Sequence, residues 1–307
     1  MNIKSLNIIL NNYCNSRCQT CNIWQNKEKK VLKLQDIKKL KKTNMLLNVK
    51  DISISGGEPF LVEELEEIIA FLIENSPNLK TLFLNHNGTK PKKAHEIAMK
   101  YASKSINLCL SISLDGNKET NDKIRGINTY DKIISLLEKR KASGLDNYEI
   151  YLSTTFQKSN SDMHNLECLL QLCEQYSTKF TFRFITISEN YYNNKTKKDI
   201  RPSNKQIKLV LNHLNKKKIE KEYIKVFEEF YYENKFSIVQ NQNKIICTAG
   251  KEFITIKEDK KIYPCIFAFK EIGDLEKGIY NQEINLKKHA PCPCEPTECV
   301  VYPIIQH

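Results

Sequence analysis

Cys14, Cys18 and Cys21 are separated by three and then two residues, which places three thiolates on one short loop near the start of the chain. Three ligands cannot complete a tetrahedral zinc site or a fully ligated [4Fe–4S] cluster. Either a distant thiolate supplies the fourth position, as in a zinc knot, or one iron of a cluster stays open for a ligand that is not protein. The chain of 307 residues holds eleven cysteines, and most are grouped. Cys247, Cys265, Cys292, Cys294 and Cys299 form a second group near the end. Cys109, Cys168 and Cys173 stand alone on apolar stretches and read as small buried hydrophobes. The N-terminus lacks the small-residue cleavage site of a secretion signal. In a reducing compartment, grouped cysteines read as metal ligands rather than disulfides.

These sulfurs need a scaffold, and the hydrophobic pattern supplies one. Residues Ile3 to Leu10 form a first strand candidate that runs straight into the cysteine loop. Asp51–Ser55 is a second, ending at Gly56-Gly57-Glu58-Pro59, and the helix after it carries Leu61, Leu65, Ile68, Ile69 and Leu72 on one face. Strands over 79–84, 108–114, 148–156 and 179–187 follow, alternating with helices over 91–101 and 129–141 and around Leu166–Cys173 and Ile207–Leu214. Residues 34–46 read as a further amphipathic helix. Six strand–helix units in order predict an α/β fold with a parallel, barrel-like sheet. In such sheets the reactive groups gather at the C-terminal ends of the strands. The cysteines, Gly-Gly-Glu-Pro, Asn87-Gly88 and Asp115-Gly116 follow strands one to four in that order. Past about residue 235 the helical pattern stops and the chain becomes rich in Cys and Pro. Two domains are expected, 1–235 and 236–307, the second built around metal rather than around an apolar core.

The stretch from Asn12 through Cys14, Cys18 and Cys21, together with Gly56-Gly57-Glu58-Pro59, resembles the radical S-adenosylmethionine (radical SAM) superfamily. The resemblance implies a partial (β/α)6 TIM-like barrel. It implies a [4Fe–4S] cluster on Cys14, Cys18 and Cys21, whose open iron is chelated by the amino and carboxylate groups of S-adenosylmethionine. In that family one electron from the reduced cluster breaks the C5′–S bond, and the 5′-deoxyadenosyl radical takes a hydrogen atom from the substrate. Gly56, Gly57, Glu58 and Pro59 are implied in holding the cofactor's amino group, with Glu58 a candidate acceptor. Ser113-Leu114-Asp115-Gly116 with Arg125-Gly126 looks like a further family stretch. Ser113 is a candidate for the ribose or the carboxylate, Asp115 for the ribose or a helix cap, Arg125 for a charge partner, and Arg183, if it faces inward, for a carboxylate. Thr20 stands where relatives carry an aromatic residue. Trp24 is read as a shield of the cluster or as core, and His86, following the third strand, as part of a turn or as a residue that approaches the active site.

The later cysteines resemble the auxiliary-cluster domains of the same superfamily, called SPASM in the seven-cysteine form and twitch in the shorter one. Cys247-Thr248-Ala249-Gly250, a polar hairpin, Pro264-Cys265 and Gly273-Asp274-Leu275 carry that likeness. It implies one auxiliary [4Fe–4S] cluster on Cys247, Cys265 and two of Cys292, Cys294 and Cys299, with the choice among the last three open. A zinc ribbon is the plainer alternative.

Composition narrows the partners. The formal charge of +12 is spread along amphipathic helices, and the dense run Asn193 to Lys198 reads as a solvated loop. A nucleic-acid partner is not expected. An anionic small metabolite or a peptide is, together with a flavodoxin- or ferredoxin-like electron donor implied by the resemblance. No stretch is long and apolar enough for a membrane span, and a cytoplasmic location is expected. A cluster-bearing electron carrier or structural protein without S-adenosylmethionine chemistry is the competing function.

Overall fold

A computed structural model describes residues 2–102, 105–217, 219, 224 and 249–280. Its centre is six parallel strands lying side by side in chain order: β1 (Ser5–Ile9), β2 (Asp51–Ser55), β3 (Thr81–His86), β4 (Asn107–Ser113), β5 (Tyr148–Phe156) and β6 (Lys179–Phe184). Between and after them run α1 (Leu34–Ile37), α2 (Leu65–Asn75), α3 (Pro91–Tyr101), α4 (Lys118–Arg125), α5 (Tyr130–Ser143), α6 (Met163–Tyr176) and α7 (Asn204–Lys216). This is the partial (β/α)6 barrel that the strand–helix alternation implies. Beyond it, β7 (Phe253–Ile256) joins β1 in parallel on the side away from β2. The strands β8 (Lys261–Tyr263), β9 (Gly273–Asp274) and β10 (Gly278–Ile279) continue that edge antiparallel. The expected boundary at 235/236 lies outside the described residues, and the strands after it extend the barrel's own sheet. Among the described residues no helix is long and apolar enough to cross a membrane.

The strands alternate with period two, and this decides what the barrel contains. One face of each strand is aliphatic or aromatic: Leu6 and Ile8, Ile52 and Ile54, Leu82 and Leu84, then Leu108, Leu110 and Ile112, all buried under the helices. The other face is mostly polar, with Asn7, Ser53, Asn85, Ser111, Tyr151 and Thr181 turned to an interior cavity. Parallel strands buried on both faces read as continuous apolar runs. Alternation here means that the second face meets a solvent-sized space, into which a ligand fits.

Two elements depart from the sequence expectation. The helix expected over 34–46 is one turn of α-helix followed by a 3-10 turn, Lys38–Lys41, and the chain breaks at Asn44 with φ 56°. Conversely α4 was not expected, because Ile124 is its one apolar residue. It forms on its caps: Asn117 accepts from the Thr120 N–H at 2.9 Å, and Gly126 ends it in the left-handed region.

An ion cluster fastens β7 and β8 to α1. Asp36 is 2 % exposed, and its carboxylate meets Lys260 Nζ at 3.0 Å and Lys39 Nζ at 3.6 Å. Burial alone would raise the Asp36 carboxyl, but Lys260, the Lys33 N–H and Lys39 outweigh it and hold it below its ordinary value. A carboxyl depressed by folding stabilises above its unfolded pKa, about 4, and that contribution drains away as pH falls through the lower folded value. Asp36→Asn is therefore expected to cost about 1–3 kcal/mol at neutral pH and much less in acid, measured by denaturant unfolding at both pH values.

Candidate active site

The cysteine loop leaves β1 at the C-terminal ends of the strands. Cys14, Cys18 and Cys21 all line one cavity of about 680 Å³. Three neighbouring segments hold the loop by backbone bonds. After β2, the Gly57 N–H donates to Asn11 O at 2.8 Å and the Glu58 N–H to Tyr13 O at 2.9 Å. At the end of α4, Arg125 O accepts from the Arg17 N–H at 3.0 Å and Ile124 O from the Gln19 N–H at 2.8 Å. After β6, Tyr192 O accepts from the Asn22 N–H at 2.8 Å, and Asn194 Nδ2 donates to Thr20 O at 2.7 Å. The run from 193 to 198 is thus not simply a solvated loop. Asn194 is fully buried, and Lys197 Nζ reaches Cys18 O at 3.4 Å, because the cysteine loop's carbonyls need donors where the strands end.

Two glycines exist for this contact. A Cβ on Gly57 would lie 2.0 Å from Tyr13 O, inside the backbone of the cysteine loop. A Cβ on Gly126 would lie 2.7 Å from Arg17 O, and φ there is +63°. The glycine of Gly-Gly-Glu-Pro at 57 and the glycine of Arg125-Gly126 therefore let the turn after β2 and the end of α4 press against the loop.

Glu58 is 1 % exposed, and both of its oxygens are engaged. Oε1 accepts from the Phe60 N–H at 3.1 Å and lies 3.1 Å from His86 Nδ1, while Oε2 accepts from the Asn87 N–H at 2.8 Å. Asn87 then passes the connection to the loop, donating from Nδ2 to Asn15 Oδ1 at 2.7 Å, to Ser16 Oγ at 2.9 Å and to Cys14 Sγ at 3.6 Å. The sequence places His86 and Asn87 in a turn at the end of the third strand, with an approach to the site as the second reading of His86; in the structure His86 ends β3 and both residues meet Glu58.

Arg125 is buried and lines the cavity. Its Nη1 donates to Cys18 Sγ at 3.7 Å and its Nε meets Asp115 Oδ2 at 2.8 Å. Asp115 itself is 1 % exposed and stands behind the cavity wall, accepting from the Thr155 N–H at 2.8 Å. Its carboxylate meets Arg125, and the residue is not part of the cavity lining. Ser113 and Arg183 do line the cavity, and Arg183 donates to Tyr192 Oη at 3.1 Å. Tyr191 Oη donates to Gly56 O at 3.1 Å, and Phe267 packs on both tyrosines with ring centroids 6.2 and 5.9 Å away. Trp24 also lines the cavity.

Lower in the barrel, Lys179 Nζ lies 2.9 Å from both oxygens of Glu149 and 3.2 Å from Tyr151 Oη. Cys109 faces this group and donates to Glu149 Oε2 at 3.7 Å, so it is a cavity residue rather than a purely hydrophobic one. Cys173 is buried on α6, as read, whereas Cys168 on the same helix is half-buried. Cys265 is half-buried, two residues before Phe267. Cys247, Cys292, Cys294 and Cys299 lie outside the described residues.

The donor set fits an iron–sulfur cluster. Burial pushes the Cys14 thiol up to about 11 and the Cys21 thiol up to about 12, so neither is primed as a nucleophile. A metal centre deprotonates such thiols outright. Among the described residues no group of three His, Cys, Asp or Glu is placed to hold a single metal ion. In a cluster each sulfur binds a different iron, which calls for a wider spacing.

The radical SAM superfamily model matches residues 8–165, half of the chain. The chain belongs to the radical SAM superfamily. It is a radical SAM enzyme, and this class reductively cleaves S-adenosylmethionine to abstract a hydrogen atom from a small-molecule or peptide substrate. GTP 3′,8-cyclase of Aliarcobacter butzleri is 24 % identical over 288 residues, covering 91 % of this chain and 85 % of that protein. GTP 3′,8-cyclase of Helicobacter pylori (strain HPAG1) is 26 % identical over 294 residues, covering 93 % and 87 %. Among solved structures, Streptococcus suis SuiB bound to its precursor peptide SuiA superposes with a TM-score of 0.65 at 17 % identity. That match covers 90 % of this chain but 64 % of SuiB, so the chain spans less than two thirds of that protein. The anSMEcpe structure with bound AdoMet gives 0.63 at 20 % identity, covering 89 % and 78 %.

Proposed function

We propose that this enzyme acts on a polar, anionic small molecule of nucleotide size, with a purine nucleoside triphosphate the first to test. One observation carries the reading: below the cysteine loop the strands turn Asn7, Ser53, Asn85, Ser111, Thr181, Lys179 and Arg183 to the cavity, beside the rings of Phe83 and Phe180 and the carboxylates of Asp51 and Glu149. Its volume is that of a small-molecule site. The similarity to GTP 3′,8-cyclases along nine tenths of the chain points the same way. In this reading Cys14, Cys18 and Cys21 hold the [4Fe–4S] cluster. The backbone at Gly56 and Gly57, with Pro59, receives the amino group of S-adenosylmethionine, while Glu58 braces that turn through Asn87. Ser113 and Arg183 face the cofactor or substrate. Arg125 donates to the Cys18 sulfur, held in place by Asp115. A flavodoxin- or ferredoxin-like protein supplies the electron.

The test is anaerobic reconstitution followed by quantification of 5′-deoxyadenosine. The nucleotide is expected to raise its formation over the substrate-free rate, whereas short peptides leave it unchanged. Stimulation by peptides alone would replace the nucleotide reading with a SuiB-like one.

The auxiliary centre is assigned to Cys247, Cys265 and two of Cys292, Cys294 and Cys299, as one [4Fe–4S] cluster in the segment 236–307. Cys265 is followed by Ile266 and Phe267, which line the cavity, so a cluster there adjoins the substrate. Cys265→Ala is expected to spare 5′-deoxyadenosine formation yet abolish product, provided that iron on the first site and solubility persist. A normal rate of product formation from that variant would make the auxiliary centre structural only.

A further inference from the structure

Each sulfur of the cysteine loop accepts hydrogen bonds, and the donors differ in charge. Cys14 Sγ accepts from the Ser16 N–H at 3.4 Å and from Asn87 Nδ2 at 3.6 Å. Cys21 Sγ accepts from the Ile23 N–H at 3.4 Å. These donors are neutral. Cys18 Sγ instead accepts from Arg125 Nη1 at 3.7 Å, and a guanidinium keeps its charge at every working pH. Cys18 is 8 % exposed and Arg125 9 %, so little water screens the pair. Asp115, 1 % exposed, places Oδ2 2.8 Å from Arg125 Nε. Three bonds fix Asp115 in turn. Oδ1 accepts from the Thr155 N–H at 2.8 Å, its own N–H donates to Asn121 Oδ1 at 3.1 Å, and its carbonyl accepts from Asn160 Nδ2 at 2.9 Å. The fold thus lines up a thiol, a cation and an anion, of which Cys18 and Arg125 line the cavity. Stability alone does not account for the row. The attraction of two buried charges roughly offsets what their desolvation costs, and apolar residues of the same size hold a fold as well. What the pair does supply is a fixed charge beside one sulfur.

We propose that Arg125 sets the reduction potential of the centre on Cys14, Cys18 and Cys21, raising it through its charge at the Cys18 sulfur, and that Asp115 is the positioning residue that holds Arg125 and offsets part of that charge. The inference rests on the cluster assignment made under the proposed function. The potential of an iron–sulfur centre follows its net charge, the hydrogen bonds to its sulfurs and its exposure to solvent. Reduction adds one electron from an external one-electron reductant and moves no atom. It places one more negative charge beside the guanidinium, which favours the reduced form. Removing the cation alone leaves the Asp115 carboxylate as the nearest charge and favours the oxidised form. Removing the anion alone leaves the cation uncompensated and favours the reduced form. The two substitutions therefore act with opposite sign. A plain staple between α4 and the loop, or a contact from Arg125 to the carboxylate of S-adenosylmethionine, produces no such pair of signs.

The experiment is an anaerobic redox titration of the full reconstituted chain, followed by electron paramagnetic resonance, with S-adenosylmethionine left out. The centre in question is identified as the signal lost when Cys14, Cys18 and Cys21 are replaced together by Ala. Arg125→Gln is expected to lower its midpoint, so that the reduced-to-oxidised ratio at a fixed potential falls about tenfold or more, about 59 mV for one electron. Asp115→Asn is expected to raise the midpoint, and Arg125→Lys to lie between wild type and Arg125→Gln. The double variant, Arg125→Gln with Asp115→Asn, is expected nearer wild type than Arg125→Gln alone. Shifts of the two single variants that lack opposite signs, including no shift in either, overturn the proposal. If S-adenosylmethionine then binds Arg125→Gln more weakly, Arg125 is a cofactor contact instead. If Arg125→Gln holds no iron, Asp115→Asn decides alone: a raised midpoint supports the proposal, and an unchanged or lowered one overturns it. Loss of iron from both single variants overturns it too and assigns the pair to assembly of the loop. A wild-type signal that survives the triple replacement would sink the cluster assignment itself, and that failure is read before any midpoint is compared.

Discussion

Replacing Cys14, Cys18 and Cys21 together by Ala is expected to abolish 5′-deoxyadenosine formation and to remove about four of roughly eight irons per chain, leaving the auxiliary cluster in place. The three sulfurs share one cavity with Gly57, Arg125 and Arg183, and no other described cysteine lies on the loop that Arg125 and Asn87 address. The loop's fold does not depend on the sulfurs alone, because Asn11, Tyr13, Thr20 and Asn22 are all held by backbone or amide bonds. The variant is therefore expected to stay soluble and to unfold close to wild type once iron is stripped from both. Iron analysis and cofactor cleavage decide the matter together. Full cleavage activity after the triple replacement would remove the basis of the assignment, and loss of all eight irons would show that the two centres do not assemble independently.

Gly57→Val is expected to have a comparable effect by a different route. The Cβ of any residue at 57 starts 2.0 Å from Tyr13 O and 2.4 Å from Tyr13 C. Both are backbone atoms of the cysteine loop, so relief requires the loop to move as a unit. That displacement breaks the Gly57 and Glu58 bonds to Asn11 and Tyr13. A local cost of about 3–5 kcal/mol follows, and iron incorporation at the first site is expected to fall by at least about tenfold. Gly144→Ala is the control. Gly144 also has a positive φ, +64°, but nothing lies within 4 Å of its Cβ position, so about 1 kcal/mol and no loss of iron are expected there. Weaker S-adenosylmethionine binding with normal iron in Gly57→Val would mean that the glycine serves the cofactor rather than the loop.

The polar interior connects these predictions to the choice of substrate. Asn7, Ser53, Asn85 and Thr181 are strand residues by backbone and ligand-facing residues by side chain. Asn85 Nδ2 donates to Ser53 Oγ at 3.2 Å and to Ile54 O at 3.1 Å, whereas Asn7 Oδ1 has no partner among the described atoms, and a buried polar group left so costs a few kcal/mol. A cavity that admits a polar ligand removes that penalty. The Glu149–Lys179–Tyr151 group satisfies itself at the lower end, while Arg183 and Ser113 stand nearer the loop, where the reacting atoms have to lie.

Much of this was present in the amino-acid order. The period-two strands and the helices after them are set by local side-chain pattern, and the strands at 51–55 and 148–156 and the buried face Ile207, Val210, Leu211 and Leu214 fall where that pattern places them. The cysteine spacing and Gly-Gly-Glu-Pro were equally legible, because each is a contiguous motif whose chemistry is fixed by residue type. Even the polar cavity was written in the alternation of β1 to β4, although its meaning depends on the sheet curving around a space. What the tertiary structure alone decided concerns pairs far apart in the chain. That Gly57 faces Tyr13, that Gly126 faces Arg17, that Asn194 reaches Thr20 and that Asp115 meets Arg125 are consequences of where separate strand and helix ends converge. No local pattern encodes such a meeting. The short polar helix α4 was invisible for the related reason that its stability comes from caps and from the loop it carries. It lacks the apolar stripe from which a helix is read.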